Sequence, residues 1–237
     1  MVIIPCHGIW KGGTTKGEDR DEWVLAPFQI EGKDHLSMKE HILTSLKLLS
    51  DNTVIVISGG KTKKEINDSE ANSYYKLLKE YSDAEVLLEE YARDSFENVI
   101  FSICRFYQEY QTYPKKITVV GFEFKRDRFL KHHFKEALGY DNVEYIGNAP
   151  KPETNVEEYF QDLHQSEYRH AVRWFEQDWY GIRDPLVTKK SSRNPFNLQH
   201  PYKETNPQLK EFLDNIEDDG DKLPNEELRS LLPNWGT

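Results

Sequence analysis

The chain has 237 residues and a formal net charge of −10, so it can form one large domain or one domain with an extension. The acidic balance excludes the broad basic surface that nucleic-acid binding requires. A mean hydropathy of −0.77, without any apolar run of about 20 residues, excludes a helical membrane span. Neither a nucleic acid nor a membrane is therefore expected as a partner.

The N-terminal sequence MVIIPCHG reads as a first core strand, because it lacks the basic region and cleavage site of a signal peptide. The two cysteines, Cys6 and Cys104, both lie in apolar segments. Buried free thiols are typical of a reducing compartment. We therefore expect a cytoplasmic protein without a disulfide.

From residue 1 to about 150, short apolar runs alternate with amphipathic runs. The apolar runs cover residues 2–5, 53–57, 85–88, 117–120 and 143–146 and are rich in Val and Ile, as strands buried on both faces are. The segments between them show helical spacing. This alternation predicts an α/β fold with a mainly parallel sheet.

Helix-start and helix-end signals delimit the predicted helices. Residues 37–40 form a capping box, Asp68 or Ser69 caps a second helix, and Asp94 caps a third. A basic turn at Lys125 opens a fourth helix, which Gly139 is placed to close. A further helix is predicted from residue 156 to about 179.

The chain divides into a predicted α/β domain, residues 1–183, and an extension, residues 184–237. Residues 11–36 are too long for an ordinary loop and predict a lid or cover. Four prolines in residues 184–207 predict an extended arm lying over the first domain or over a second subunit, as in a homodimer. Short helices are expected after Pro207 and Pro224. Trp235, near the C-terminus, could pack against the α/β domain.

The loops after four successive predicted strands carry the candidate functional residues. In chain order they hold His7-Gly8, then Ser58-Gly59-Gly60, then residues 89–98, then Lys125, Arg126 and Arg128. In a parallel sheet all four loops meet at one edge, where open α/β proteins bind ligands. The sequence predicts that Gly8, Gly60, Arg93 and Arg128 line one cleft there.

The cations in the turn at Lys125 are electrostatically unfavourable there, because the N-terminal end of the helix that follows already carries a partial positive charge. An anion held by the cations and by backbone N–H groups would relieve this conflict. The alternative is neutralisation by Glu89, Asp94 or Glu123. A P-loop is excluded, because Ile55 stands where that motif needs its first glycine. The histidines and cysteines lack metal-ligand spacing, so no metal is expected.

This order of motifs resembles the domain of unknown function shared by the bacterial YdcF, SanA and ElyC proteins, and the chain looks like a eukaryotic branch of it. The resemblance covers residues 1 to about 150. The matching residues are Ser58-Gly59-Gly60, Ser69-Glu70-Ala71, Glu89, Ser95, Glu97, Asn98 and Arg128. The chain departs from the pattern at Ala92, where a serine is usual, and at Lys125, where the family has a histidine.

The resemblance implies a Rossmann-like, three-layer fold with a polar pocket at the strand ends, and a nucleotide such as S-adenosylmethionine as a ligand. The candidate ligand-binding residues are Gly8, Ser58, Gly59, Gly60, Glu70, Asp94, Ser95, Asn98, Lys125, Arg126 and Arg128. The lysine at position 125 removes the family's neutral base, so proton transfer must be assigned to another residue.

Two hypotheses for the function remain open. The first is an enzyme of the hydrolase or transferase type acting on a small anionic ligand that bears a phosphate or a nucleotide. Glu89, or Glu90 if the register is shifted by one, would then act as acid and base or pair with Arg93, and His7 is the second candidate for proton transfer. The second is a non-catalytic binding or scaffold protein that keeps the pocket residues for stability.

Overall fold

The computed structural model describes residues 1–218 and 222–235. Its strands are β1 (Val2–Pro5), β2 (Ile9–Trp10), β3 (Trp23–Val24), β4 (Ile55–Ser58), β5 (Leu87–Glu89), β6 (Ile117–Phe122) and β7 (Val143–Asn148). Its helices are α1 (Phe28–Glu31), α2 (Asp34–Lys47), α3 (Glu70–Lys79), α4 (Ser95–Tyr110), α5 (Val156–Glu167), α6 (Arg173–Phe175), α7 (Leu186–Ser192), α8 (Tyr202–Thr205), α9 (Lys210–Asn215) and α10 (Asn225–Ser230). Segments Arg128–Leu138 and Tyr168–Val172 are π-helical, and 3-10 turns cover Arg20–Glu22, Glu123–Lys125 and Pro207–Leu209.

Five strands form one parallel sheet in the order β5-β4-β1-β6-β7. Ile3 in β1 lies between Val56 of β4 and Val119 of β6. All residues of β1 and β4 are buried, because helices cover both faces of the sheet. The predicted α/β, Rossmann-like three-layer fold is confirmed.

The two faces of the sheet carry separate hydrophobic clusters, because successive side chains of a strand point to opposite faces. Ile3 packs in a cluster with α4, the π-helix Arg128–Leu138 and the C-terminal segment. Its neighbour Ile4 packs in the other cluster, with α2 and α3. The C-terminal segment therefore shares a core with the first part of the chain.

The long connection after β1 folds over the end of that strand. Within it, β2 and β3 pair antiparallel, and Gln29 donates a hydrogen bond to the His7 carbonyl over 2.9 Å. The buried Glu22 carboxylate accepts hydrogen bonds from Trp10 Nε1 and from the backbone of Thr15 and Gly17. Burial alone would raise the pKa of Glu22, but these hydrogen bonds outweigh it and lower the pKa to about 2.

Several predicted helix ends are confirmed and one is wrong. Ser69 and Asp94 cap α3 and α4 with their side chains, and Gly139 ends the π-helix at φ 63°. The capping box at residues 37–40 is wrong, because α2 already begins at Asp34 and the Ser37 hydroxyl donates to the Ala149 carbonyl instead.

The predicted extended arm is also wrong in part, because α7 and α8 lie within it. Each helix begins directly after a proline, Pro185 and Pro201 respectively. Proline disrupts a helix interior but is tolerated at a helix start. Both helices pack on the core of the same chain, and Trp235 docks back by donating to the Leu138 carbonyl over 2.7 Å. Residues 219–221 and 236–237 of the predicted extension lie outside the described residues.

Cys6 and Cys104 are both buried and free, and they belong to the two different clusters. Among the helices of residues 1–218 and 222–235, none combines the length and apolar character that crossing a membrane requires.

Glu22→Gln should lower the free energy of unfolding by about 1–2 kcal/mol near neutral pH, because charge-assisted hydrogen bonds become neutral ones. The depressed pKa means that Glu22 stabilises the fold above pH 4.5 and loses this effect as the pH falls towards about 2. Urea unfolding of both forms measures the difference. Asp21→Asn, at an exposed position, is the control, and equal losses in both variants would contradict the assignment.

Lys190→Ala should lower the free energy of unfolding by about 2 kcal/mol, because it removes a fully buried side chain and leaves Arg93 as the remaining cation that pairs with Glu97 and Asp218. Lys190 has no exposed side-chain surface, and its Nζ lies 3.5 Å from Glu97 Oε1 and 3.8 Å from Asp218 Oδ1. Denaturant unfolding tests this, with Ser192→Ala on the exposed side of α7 as control. A cost below about 1 kcal/mol would show that α7 does not depend on this contact.

Candidate functional site

Chain direction across the sheet reverses at β1. In open α/β sheets, ligands bind where the strand order reverses in this way. The chain runs from β1 outward through β4 to β5, then returns to the other side of β1 to form β6 and β7. The loops after β1 and β6 therefore diverge and leave a crevice at the carboxyl edge of the sheet. His7 follows β1, and Lys125 follows β6.

The Lys125 ammonium group contacts the His7 imidazole across this crevice. Its Nζ lies 3.1 Å from Nδ1 and 3.3 Å from Nε2 of His7. The rings of Phe122 and Phe124 flank the ammonium group at 5.3 and 5.4 Å. Within the described residues, Lys125 forms no ion pair with a carboxylate. The charge is thus held in a mainly aromatic environment.

Burial and neighbouring cations shift the pKa values of both groups. Burial, followed by the charge of Arg128, lowers the pKa of Lys125 to about 7. Burial and the charge of Lys125 lower the pKa of His7 well below its ordinary value. The proton therefore resides on Lys125, which donates to a neutral imidazole.

Two arginines flank this pair. The Arg128 Nε lies 3.0 Å from Glu167 Oε1, at an angle that makes no hydrogen bond. Arg193 reaches the same edge from the C-terminal segment, and its charge contributes to lowering the pKa of both His7 and Lys125. The sequence analysis missed Arg193, since it lies outside the strand-end loops.

Asp34 is a second residue that the sequence analysis missed. Its side chain is only 6% exposed, and its buried Oδ1 has no hydrogen-bond partner. Burial raises the pKa of Asp34 to about 7, against an opposing effect from the charge of Lys125. Nearby, His41 has an unpartnered Nδ1, and its Nε2 lies 2.7 Å from Asn148 Oδ1. A carboxyl group and an ammonium group of similar pKa thus share one site.

The glycine loop after β4 does not present free N–H groups to an anion, as the sequence analysis expected. The N–H groups of Gly59 and Gly60 donate to the carbonyls of Glu89 and Ala92. A Cβ atom at Gly59 would lie 2.7 Å from the Cys6 side chain, and one at Gly60 would lie 2.7 Å from the Ala92 carbonyl. Close packing is therefore the reason for these glycines.

Glu89 lies beneath the loops with no exposed surface. It accepts hydrogen bonds from the Ser58 hydroxyl at 2.6 Å, from the backbone of Tyr91 and Ala92, and from the Tyr202 hydroxyl. Asn98 donates to the carbonyl and hydroxyl of Ser58. Burial raises the pKa of Glu89 to about 7. Through these hydrogen bonds, Glu89, Ser58 and Asn98 connect β4, β5 and α8. The sequence predicted that the same side chains contact a ligand.

Arg93 does not pair with Glu89. Its guanidinium pairs with Glu97 at 2.6 Å and with Asp218 at 2.8 Å. It lines a cavity of about 340 Å³ with residues of the C-terminal segment, and Gly8, Gly60 and Arg128 are not among the residues that line this cavity. This cavity is therefore not the common cleft that the sequence predicts for these four residues.

The other predicted ligand contacts are dispersed. Arg126 pairs with Glu123 at 2.6 Å and donates to the Tyr145 carbonyl. Glu70 accepts from the Thr62 hydroxyl at 2.6 Å. Asp94 caps α4, Ser95 Oγ lies 2.7 Å from His133 Nε2, and Gly8 packs against Met38. Of the predicted set, His7, Lys125 and Arg128 remain together.

No group of three or more His, Cys, Asp or Glu side chains within the described part of the chain is arranged to hold a metal ion. The arrangement of His7, Asp34, Lys125, Arg128 and Arg193 can bind negative charge and exchange a proton near neutral pH.

No profile of a known protein family matches the chain, and no solved structure matches it. The chain is 37% identical to the uncharacterised protein YOR238W of Saccharomyces cerevisiae over an alignment of 260 positions. The alignment spans 85% of this chain and 86% of the yeast protein. Identity at this level over nearly the whole of both chains means that this chain belongs to the same family as the yeast protein YOR238W.

Proposed function

We propose that the protein binds a small anionic molecule, bearing a phosphate or a nucleotide, in the crevice between β1 and β6. The observation that carries this proposal is the half-buried Lys125 ammonium group, whose closest polar partner is a neutral imidazole. Taking an ammonium group out of water costs free energy unless negative charge compensates it. A bound anion would supply that charge.

The surroundings of Lys125 support an anionic ligand over a neutral one. Arg128 and Arg193 add positive charge at the same edge, in a protein whose net charge is −10. Glu167 faces Arg128 without an aligned hydrogen bond. Cations gathered in this way favour an anion and concentrate it locally.

For catalysis, we propose a hydrolase or transferase in which Lys125 and Arg128 hold the anionic group and Asp34 exchanges the proton. The pKa of about 7 for Asp34 matches the value that suits an acid–base group near neutral pH. Asp34 takes the place that the sequence analysis gave to Glu89. His7 positions Lys125, since its neutral ring accepts the ammonium hydrogen bond.

We also propose that the chain is a eukaryotic relative of the YdcF, SanA and ElyC proteins and that it works in the cytoplasm. The order of the strand-end motifs supports the first proposal. The free, buried Cys6 and Cys104 support the second.

Sulfate at millimolar concentration should raise the melting temperature of the wild type more than chloride does at matched ionic strength. At about ten times its dissociation constant, a ligand stabilises the fold by about 1.4 kcal/mol. Differential scanning fluorimetry measures the shift. Arg128→Gln should abolish the difference between the two salts. Arg126→Gln is the matched control, because Arg126 is already paired with Glu123. Equal effects of both salts on the wild type would leave the proposal without support.

The affinity for sulfate should fall by about tenfold as the pH rises from about 6 to about 8.5, because Lys125 loses its proton near pH 7. Sulfate itself does not titrate in this range. Asp34 gains negative charge over the same interval. Isothermal titration calorimetry gives the profile.

Two variants separate the titrating groups. Asp34→Asn should keep a decrease in affinity above about pH 7, since Lys125 still titrates. Lys125→Met should bind weakly at every pH with a flatter profile. A pH-independent affinity in the wild type would refute the role of Lys125. Tight binding without turnover of any phosphate ester would favour the non-catalytic alternative.

A further inference from the structure

A second set of cations lies on the C-terminal segment, beside Lys125 and Arg128. It consists of Arg173 in α6, Lys189 in α7 and Arg193 directly after α7. Within residues 1–218 and 222–235, none of the three forms an ion pair with a carboxylate. Lys189 donates to the His170 carbonyl over 2.9 Å, and Arg193 donates to the Arg93 carbonyl over 2.8 Å. The Nε of Arg173 is buried without a hydrogen-bond partner.

These cations are close enough to one another to interact. Burial, then the charges of Arg193, Arg173 and Arg128, lower the pKa of Lys189. The charge of Arg193 also reaches Lys125. One positive surface therefore runs from the crevice outward along the C-terminal segment. We call Lys125 and Arg128 its inner part, and Arg173, Lys189 and Arg193 its outer part.

The two parts differ in how their charge is balanced. In the inner part, Glu167 lies 3.0 Å from Arg128. The Asp34 carboxyl group, with its pKa raised to about 7, lies at the same site, and the buried Glu70 is bound by Thr62. In the outer part, Lys189 and Arg193 have carbonyl oxygens as partners, and the Arg173 guanidinium lies over the Trp174 ring at 4.3 Å. A single phosphate-sized anion on Lys125 and Arg128 would leave the outer part without a counter-charge.

The helix dipole explains the positions of only some of these cations. Lys189 stands in the last turn of α7, where a cation complements the helix dipole. Its ammonium group, however, is turned to the carbonyl of His170, on a different element. The neighbouring Lys190 points inward to Glu97. The buried Lys190 thus fixes α7 so that Lys189 and Arg193 lie at the rim.

We propose that the ligand carries two linked anionic groups, as a diphosphate does, and that Lys189 and Arg193 of the C-terminal segment bind the outer group. Arg173 adds charge behind them. This inference rests on the proposed function, in which Lys125 and Arg128 bind the inner group. It gives the C-terminal segment a direct part in ligand recognition.

The test compares inorganic phosphate with inorganic diphosphate on the full chain by isothermal titration calorimetry, without divalent cations and at matched ionic strength. The wild type should bind diphosphate at least about tenfold more tightly, since each added charge-assisted contact contributes about that factor. The double variant Lys189→Gln/Arg193→Gln should lose this preference, because it should weaken diphosphate at least about tenfold more than phosphate. Arg128→Gln should weaken both ligands.

Lys131→Gln is the control, because Lys131 is exposed on the π-helix Arg128–Leu138 and outside the positive surface. The melting temperature of each variant without ligand shows that it is folded. Equal affinities of the wild type for both ligands, or a preference that persists in the double variant, would overturn this inference and leave the proposed function standing. If neither ligand bound the wild type, both proposals would fall.

Discussion

An ammonium group that is removed from water must gain a negative partner or lose its proton. The Lys125 ammonium group contacts a neutral histidine and lies between two phenylalanine rings. Its pKa is lowered to about 7. The placement follows from the sheet, because the reversal of strand order sets the end of β1 beside the end of β6. The same crevice contains Arg128 and Asp34, and the charge of Lys125 opposes the rise that burial causes in the pKa of Asp34. A bound anion is the partner that we propose for Lys125.

The two sides of the carboxyl edge of the sheet differ in whether their buried polar groups have hydrogen-bond partners. On the side of β4 and β5, the polar groups of Ser58, Glu89 and Asn98 satisfy one another and the nearby backbone. Such a network fixes the loops, because every buried polar group in it has a partner. On the side of β6, Asp34 Oδ1 has no hydrogen-bond partner, and Lys125 has no paired carboxylate, among residues 1–218 and 222–235. Unsatisfied groups of this kind are where ligand binding can contribute free energy.

Local sequence signals predicted the five strands of the parallel sheet, the caps at Ser69 and Asp94, and the presence of His7, Lys125 and Arg128 at one edge, whereas the short strands β2 and β3 were not predicted. Contacts between distant residues decided the rest. Glu89 and Arg93 were assigned to a ligand because their partners, Tyr202 and Asp218, lie more than a hundred residues away. Asp34 and Arg193 lie outside the strand-end loops, so no local pattern marked them. The helices after Pro185 and Pro201 were missed because proline was taken to exclude a helix rather than to precede one.

The most direct test of the anion site is the anomalous difference density of a crystal soaked in selenate, a heavier analogue of sulfate. The account predicts a peak within hydrogen-bonding distance of Lys125 Nζ, on the side facing Arg128 and Arg193. A peak that appears only elsewhere on the protein, with the crevice between β1 and β6 holding none, would contradict it.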